Sequence, residues 1–533
     1  MDTNIITSLE AEIEKLKIDV FRLACENQEL RKLNEWYAER FKIAQQQRFG
    51  ASSEKNMLPG QLELFNEAEV CADEKLPEPE AEIITYKRKK QKGKRDEFFS
   101  NLPTVQRVHE LPESERICPL CNGDLHACGH EVYRREIEVI PATVRAVEHV
   151  QTVYACRECK TNTDKNDKNS AVPMLKAQVP APVISGSGIA SPSLVAFVLV
   201  NKYLLALPLN RQEQELKRQN ITISRQTMAN WCLYAAEKWL CHMIVRLLEK
   251  MLTYYILHSD DTRLQVINEP NRKATTDSYF WVYMTGLYAQ HQIVLFEYTE
   301  TREGKHPQKF LADYAGFLNV DGYQGYYALE NNGVTLCGCW AHARRKFVDT
   351  LKTIPKEQHK DAPASVGLAY CDKLFELERK FDKQGLTPEQ RCESRAQESM
   401  PVALACFAWA EKVLPSLSGK SKLREAVIYL GNQRARLMNF LSDGRIEISN
   451  NRAERAIRPF TIGRNNWLFA YSPRGAKASA IIYSIVETAK ANGLVPFKYL
   501  EFLFETMPNI PESRFDECLP WDPAVKARCS ADT

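Results

Sequence analysis

Three carboxylates in three separate settings are the residues of this chain whose types and spacing could do chemistry together. Asp260 lies in Ile256-Leu257-His258-Ser259-Asp260-Asp261-Thr262, and Asp321 in Leu318-Asn319-Val320-Asp321-Gly322-Tyr323. Glu454 lies in Asn450-Asn451-Arg452-Ala453-Glu454-Arg455-Ala456-Ile457-Arg458. Metal-assisted phosphoryl transfer needs carboxylates from separate elements to converge on two divalent ions about 3.5–4 Å apart. Mg²⁺ suits such a site, because it prefers hard oxygen ligands and keeps several of its waters. Singly, each acid is more often a surface or helix-capping residue than a catalyst. As an Asp, Asp, Glu set ordered along the chain, with the longer interval before the Glu, they are candidates for one centre. At helical spacing Asn450, Glu454 and Arg458 share a face, which offers one ligand flanked by groups for phosphate oxygens.

A second constellation is built from thiols. Cys118-Pro119-Leu120-Cys121 and Cys156-Arg157-Glu158-Cys159 are two Cys-x-x-Cys knuckles, and the alternating segment between them can bring the two together. Each knuckle presents two thiolates on a tight turn, and two knuckles complete a tetrahedral Zn²⁺ site. Four Cys ligands leave no open position, so the expected zinc is structural, about one per chain. Cys128, His126 and His130 are nearby substitutes for one ligand. Cys339 and His342, three residues apart with Cys337 close by, allow a metal reading as well. The preferred reading puts Trp340, His342 and the Arg344-Arg345-Lys346 cluster on a helix running along DNA.

These residues need elements to hold them. Short apolar runs at 252–258, 279–287 and 292–298, rich in Tyr, Phe, Trp, Val and Ile, read as three strands. A helix at 307–315, a strand ending at Val320 and a strand at 334–337 follow. That order predicts a mixed α/β sheet flanked by helices, with Asp260 ending strand one, Asp321 ending strand four and Glu454 on a late helix. Residues 350–443 read as a helical insertion within a catalytic core of 251–465, and 466–533 as a C-terminal helical domain. Upstream, 171–250 is helical. Within it 209–231 fits two helices joined by a turn, with Ser224 as N-cap and Arg225, Gln226 and Asn230 exposed; this is a helix-turn-helix or a plain helical pair. Residues 116–165 hold the thiols.

The first 45 residues carry a heptad, with Leu9, Leu16, Leu23 and Leu30 at d and Ile6, Ile13, Val20 and Asn27 at a. That pattern favours a two-stranded parallel coiled coil, in which Glu12 faces Lys17 and Glu26 faces Arg31 of a partner. Residues 46–115 read as a linker and basic arm. Seven of the nine residues from Lys87 to Arg95 are Lys or Arg, among them Lys87, Arg88, Lys89 and Lys90, which suits a phosphate backbone as well as a solvated linker.

A chain of 533 residues is too long for one core. The formal net charge is only +3, with 26% charged and 44% hydrophobic residues, so the total does not announce a nucleic-acid binder, and the distribution is more informative than the sum. The most apolar stretch, 194–209, is broken by Asn201-Lys202 and Pro208 and falls short of a span. The polar N-terminus has no secretory pattern, and sixteen cysteines without one imply a reducing compartment.

At these motifs the chain resembles the insertion-sequence-66 family of bacterial transposases. Gln47-Arg48-Phe49-Gly50-Ala51-Ser52-Ser53-Glu54-Lys55 is similar to the family's N-terminal signature, and the paired knuckles to its zinc-binding domain. Cys339-Trp340-Ala341-His342-Ala343-Arg344-Arg345-Lys346-Phe347 resembles the segment after its second acid. Glu454-Arg455-Ala456-Ile457-Arg458-Pro459 with Gly463-Arg464-Asn465-Asn466-Trp467-Leu468-Phe469 resembles its third-acid block. The resemblance implies a DDE-type, RNase-H-like core using two Mg²⁺ ions, with Mn²⁺ as a substitute, to cut and join strands. It also implies binding to terminal inverted repeats and target DNA, small accessory proteins of the same element, a homodimer or higher oligomer, and a cytoplasmic, nucleoid-associated setting. Arg344, Arg345, Arg455 and Arg458 join the basic run as expected DNA contacts. The chain departs from the family at Asp261, where Glu is usual and which makes Asp261 the alternative first ligand. It departs again at Ser449, where Asp is frequent, and at Asn465, where Lys is frequent. A nuclease without strand transfer and a non-catalytic DNA-binding derivative are the rival readings.

Overall fold

The computed structural model describes residues 179–187, 189–417 and 419–531, with the short stretches 144, 146–150, 153–155 and 174–176 before them. The heptad segment, the basic run and Cys118, Cys121, Cys156 and Cys159 lie outside the described residues. The chain divides into two compact units, one of residues 54–179 and one built mainly from 180–531. In the smaller unit, β1 (Val153–Ala155) pairs antiparallel with β2 (Met174–Lys176).

The larger unit is organised around a five-stranded mixed sheet. Its strands are β3 (Ile256–Gln265), β4 (Asp277–Thr285), β5 (Val294–Thr299), β6 (Phe317–Val320) and β7 (Thr335–Gly338), in the spatial order β5-β4-β3-β6-β7. The aromatic and β-branched content of β4 and β5 fits a pleated surface. β4 buries seven of its nine residues, so both of its faces are covered. β3, β4 and β5 run as an antiparallel meander, while β6 pairs parallel to β3 and β7 parallel to β6. The expected element order is realised with two differences. The helix after β5 is the short α5 (Lys305–Phe310), and the connection from β6 to β7 is 3₁₀ (Gln324–Asn332), ended by Gly333 at φ 84°. Among the described residues, four helices precede the sheet: α1 (Pro192–Tyr203), α2 (Leu209–Arg218), α3 (Arg225–Ala235) and, after a π-helical turn at Ala236–Leu240, α4 (Cys241–Leu252). Ser224 caps α3 by accepting from the Thr227 amide at 3.1 Å, and Arg225, Gln226 and Asn230 are exposed.

After β7 come α6 (Trp340–Leu351) and the inserted helices α7 (Pro363–Gln384), α8 (Pro388–Ser394), α9 (Met400–Val413) and α10 (Lys422–Met438). α8 begins with a reciprocal capping box between Thr387 and Gln390. The insertion has a core of its own around Cys371, Leu374, Phe407 and Leu430, and this core also takes in Trp340 and Phe347 of α6. The chain then returns through α11 (Asn451–Trp467), α12 (Pro473–Ala491), α13 (Pro496–Thr506) and α14 (Pro523–Cys529).

The structure draws no boundary at residue 466. Val486, Leu503 and Val525 of the last three helices share one hydrophobic cluster with Phe280 and Leu295 of the sheet and with Val198 and Leu247 of α1 and α4. The reason lies at the sheet edge. β5 has one free side, and its Val294 and Phe296 amides donate to Thr488 Oγ1 (3.0 Å) and Ser484 Oγ (2.7 Å) of α12. Buried backbone donors need partners, and α12 supplies them. Among the described residues, no helix is long and apolar enough to cross a membrane.

Candidate active site

Asp260 does not end its strand, as the apolar run suggested; it is the fifth of ten residues in β3. The antiparallel pairing with β4 continues through Asp260↔Val282 to Gln265↔Asp277. On the other side, β6 pairs with β3 only from Ile256↔Phe317 to His258↔Asn319. A crevice therefore opens beside Asp260 where its parallel neighbour stops. Carried past its last pair, the parallel register of β3 and β6 sets position 321 opposite position 260, so the turn after β6 brings Asp321 level with Asp260. That turn is tight. Asp321 Oδ1 accepts from the Tyr323 amide at 2.9 Å, and a Cβ on Gly322 would come within 2.6 Å of the Tyr429 ring of α10.

Glu454 reaches the crevice from the first turn of α11. The segment leading into that helix is bracketed to the sheet. Asn450, fully buried, donates from Nδ2 to the Ser259 carbonyl (2.8 Å) and meets His258 Nδ1 at 3.1 Å through Oδ1. Its amide donates to Cys339 Sγ at 3.2 Å. His258 Nε2 lies 2.8 Å from Glu447 Oε2, and Asn319 Nδ2 donates to the Glu447 carbonyl at 2.8 Å. Sequence reasoning placed Asn450 beside Glu454 as a phosphate-facing group. The structure instead turns it inward, because it precedes the first helical residue and its side chain is the link between α11 and β3. His258 and Glu447 were missed altogether. The only signal for them was two polar residues within otherwise apolar runs next to the acids.

The charges in the crevice repel one another. Burial raises the Asp260 pKa well above the ordinary carboxylate range, and the negative charges of Asp321, Asp261 and Glu454 raise it further against a partial offset from His342. Asp261, on the opposite face of the strand, is only 4% exposed and paired with Arg302 (Nη2 at 2.8 Å, Nε at 3.0 Å). Its pKa rises to about 6, with burial outweighing the Arg302 charge and hydrogen bond. Arg302 stacks on Tyr323, 3.9 Å from the ring centre, and its Nη2 lies 3.8 Å from Asp321. Glu454 Oε2 accepts from Arg345 at 3.3 Å, whereas its buried Oε1 has no hydrogen-bond partner. A cluster of anionic oxygens with one left over is the donor chemistry that a hard divalent cation takes.

The expected DNA contacts separate into three groups. Arg345 points at Glu454, and Arg344 pairs with Asp372 of α7 at 2.5 Å. Arg455 is exposed on α11, while Arg458 is half-buried with an unpartnered Nε. Lys87, Arg88, Lys89 and Lys90 lie outside the described residues. His342 reaches the site from the first turn of α6. Burial alone would lower its pKa, but the hydrogen bond and charge of Cys339 and the charges of Glu454 and Asp321 outweigh burial and push it to about 9.

The crevice lies within residues 187–478, which match a family described as "Transposase IS66 family". Residues 484–521, covering α13 and the end of α12, match the "IS66 C-terminal element". Residues 115–160, which hold all four knuckle cysteines, match the "zinc-finger binding domain of transposase IS66". Residues 36–107 match "Transposase C of IS166 homeodomain". Two uncharacterized proteins of Sinorhizobium fredii are similar along most of their length. The protein y4qI is 31% identical, covering 78% of this chain and 76% of its own, and y4hP is 30% identical, covering 78% and 75%. With one family matched over more than half of its residues, and with that family's C-terminal and zinc-finger segments matched in order on either side, the chain belongs to the IS66 family of transposases.

Proposed function

We propose that the chain is a DDE-type transposase that binds the terminal inverted repeats of its own element and cleaves and transfers strands with Mg²⁺. The observation that carries this reading is the convergence of Asp260 from β3, Asp321 from the turn after β6 and Glu454 from the first turn of α11, where the charges of Asp321 and Glu454 act on Asp260. The sheet order, an antiparallel meander continued by two parallel strands, supports an RNase-H-like core. Asp260 is preferred over Asp261 as first ligand, because Glu454 bears on Asp260 while Asp261 is already paired with Arg302. Two Mg²⁺ ions held by Asp260, Asp321 and Glu454, or Mn²⁺ in their place, would polarise the scissile phosphate and lower the pKa of a bound water.

The protein's own part is positioning. The His258–Asn450 bracket fixes Glu454 against β3, and Arg302 holds Asp261 in an ion pair and partly offsets its charge. A water, and later a free 3′-hydroxyl, attacks the phosphodiester in line. Arg455 and Arg458, with Arg344, Arg345 and the run Lys87, Arg88, Lys89 and Lys90, supply phosphate contacts that set register rather than sequence. Cys118, Cys121, Cys156 and Cys159 would hold a structural Zn²⁺. The chain would act as a homodimer or higher oligomer through its heptads, together with accessory proteins of the element.

The test is a joining assay on the element's own ends with a target plasmid and Mg²⁺. Joined product is expected from the wild type. Asp321→Asn and Glu454→Gln should keep the fold and end-binding and lose cleavage by at least about 10²–10³-fold, the order found when a group stabilising transition-state charge is removed. Cleavage without joining would favour a nuclease, and undiminished cleavage by either variant would remove the assignment.

A further inference from the structure

Beside the three-carboxylate crevice lies a donor set of different chemistry. Cys339 precedes the first residue of α6, His342 is three residues on, and Glu454 faces them from α11. One ligand atom from each lies within 4.8 Å of the other two. His342 Nδ1 and Glu454 Oε1 stand 3.9 Å apart. Both atoms are buried and neither makes a hydrogen bond within the usual distance, so each keeps a lone pair that a metal ion between them could take. Ligands around a tetrahedral zinc ion sit about 3.3–3.8 Å from each other, given bond lengths of about 2.0–2.3 Å; a closure of less than about 1.5 Å would seat one. Cys339 is 1% exposed and its sulfur already accepts the Asn450 amide at 3.2 Å, the kind of outer hydrogen bond that orients a metal-bound thiolate.

We propose that Cys339, His342 and Glu454 form a site for a thiophilic divalent ion, Zn²⁺ above all, that shares Glu454 with the carboxylate centre. A thiolate, an imidazole and a carboxylate suit Zn²⁺ and reject Mg²⁺, which has little use for sulfur. Three protein ligands leave the fourth position to water. Binding displaces the Cys339 thiol proton to solvent. Because Glu454 cannot serve both centres fully, zinc at this site withdraws the third acid from Mg²⁺-supported chemistry. Zinc inhibition rests on the reading of Glu454 as a catalytic acid; zinc binding does not.

The experiment uses the full chain with its knuckle cysteines intact. Zn²⁺ bound per chain is measured after equilibrium dialysis, and Co²⁺ is titrated in parallel to read thiolate-to-cobalt absorption. Wild type is expected to hold one Zn²⁺ more than Cys339→Ser or His342→Ala, and Cys339→Ser should lose part of the cobalt–thiolate absorption. Cys337→Ser, whose thiol lies outside the set, should match wild type. Zinc should inhibit Mg²⁺-dependent cleavage by the wild type at concentrations at least tenfold below those needed for His342→Ala, each judged against its own zinc-free rate. Equal zinc content and cobalt spectra in all four proteins would overturn the proposal, and His342→Ala decides it alone if Cys339→Ser does not fold. An extra zinc in a wild-type protein that never cleaves would uphold this site and count against the catalytic reading; cleavage without an extra zinc would do the reverse.

Discussion

Asn450 shows how a residue next to a catalytic candidate can matter without touching substrate. Its amide group joins β3 to the start of α11 through Ser259 and His258, and its backbone joins α11 to Cys339. Replacing it by Ala leaves a buried carbonyl and a buried ring nitrogen unpaired. Orphaned buried polar groups cost about 1–3 kcal/mol each. Asn450→Ala should therefore lose about 2–4 kcal/mol in a urea titration, whereas Asn465→Ala, at an exposed position, should stay within about 0.5 kcal/mol. Cleavage by Asn450→Ala should fall while the Kd for end DNA holds, because the acid is displaced and the DNA-binding surface is not. A fall in end-binding with unchanged cleavage per bound complex would contradict the bracket.

At the scale of elements, β5 is an edge strand made interior by α12 on one side and by β4 on the other. Glu297 is caught in that burial, opposite Trp281. Burial raises its pKa to about 7, with the Tyr283 hydroxyl and the Lys309 charge pulling the other way. The unfolded chain ionises Glu297 near the ordinary value of 4.5, so between about 4.5 and 7 the folded state binds more protons than the unfolded one. Stability from this group is thus present at low pH and lost as pH rises through that window. The ceiling is about 3 kcal/mol. Glu297→Gln should flatten the fall in denaturation midpoint between about pH 5 and 7 and raise it at pH 8. An unchanged pH profile in the variant would locate the dependence elsewhere.

For the whole molecule, the shared core decides what can be removed. The helices before the sheet, the sheet itself and the helices after residue 472 bury their side chains in one cluster. Ending the chain after Ser472 would strip the partners from the Val294 and Phe296 amides and expose Phe280 and Leu295. Such a truncation should show no cooperative thermal transition by circular dichroism and should partition into the insoluble fraction. A soluble truncated protein with a sharp transition would restore the expected boundary at 466. The insertion is tied in the same way, since Trp340 Nε1 donates to the Leu437 carbonyl at 2.8 Å across the two regions.

The sequence by itself determined the family and the order of the candidate acids along the chain. Asp260, Asp321 and Glu454, the strand runs around the first two, the Ser224 cap and the long motifs of the transposase family are local patterns, and local patterns survive without coordinates. The tertiary structure decided what depends on neighbours remote in the chain. It showed that Asp260 lies mid-strand, because the length of a strand is set by its partner as much as by its own residues. It turned Asn450 inward, joined 466–533 to the sheet, and set Cys339 and His342 beside Glu454, which lies beyond the whole helical insertion in sequence. The spacing of Cys339 and His342 had suggested a helix along DNA or a metal pair. Only the fold, which brings the start of α11 to the start of α6, set a carboxylate beside them.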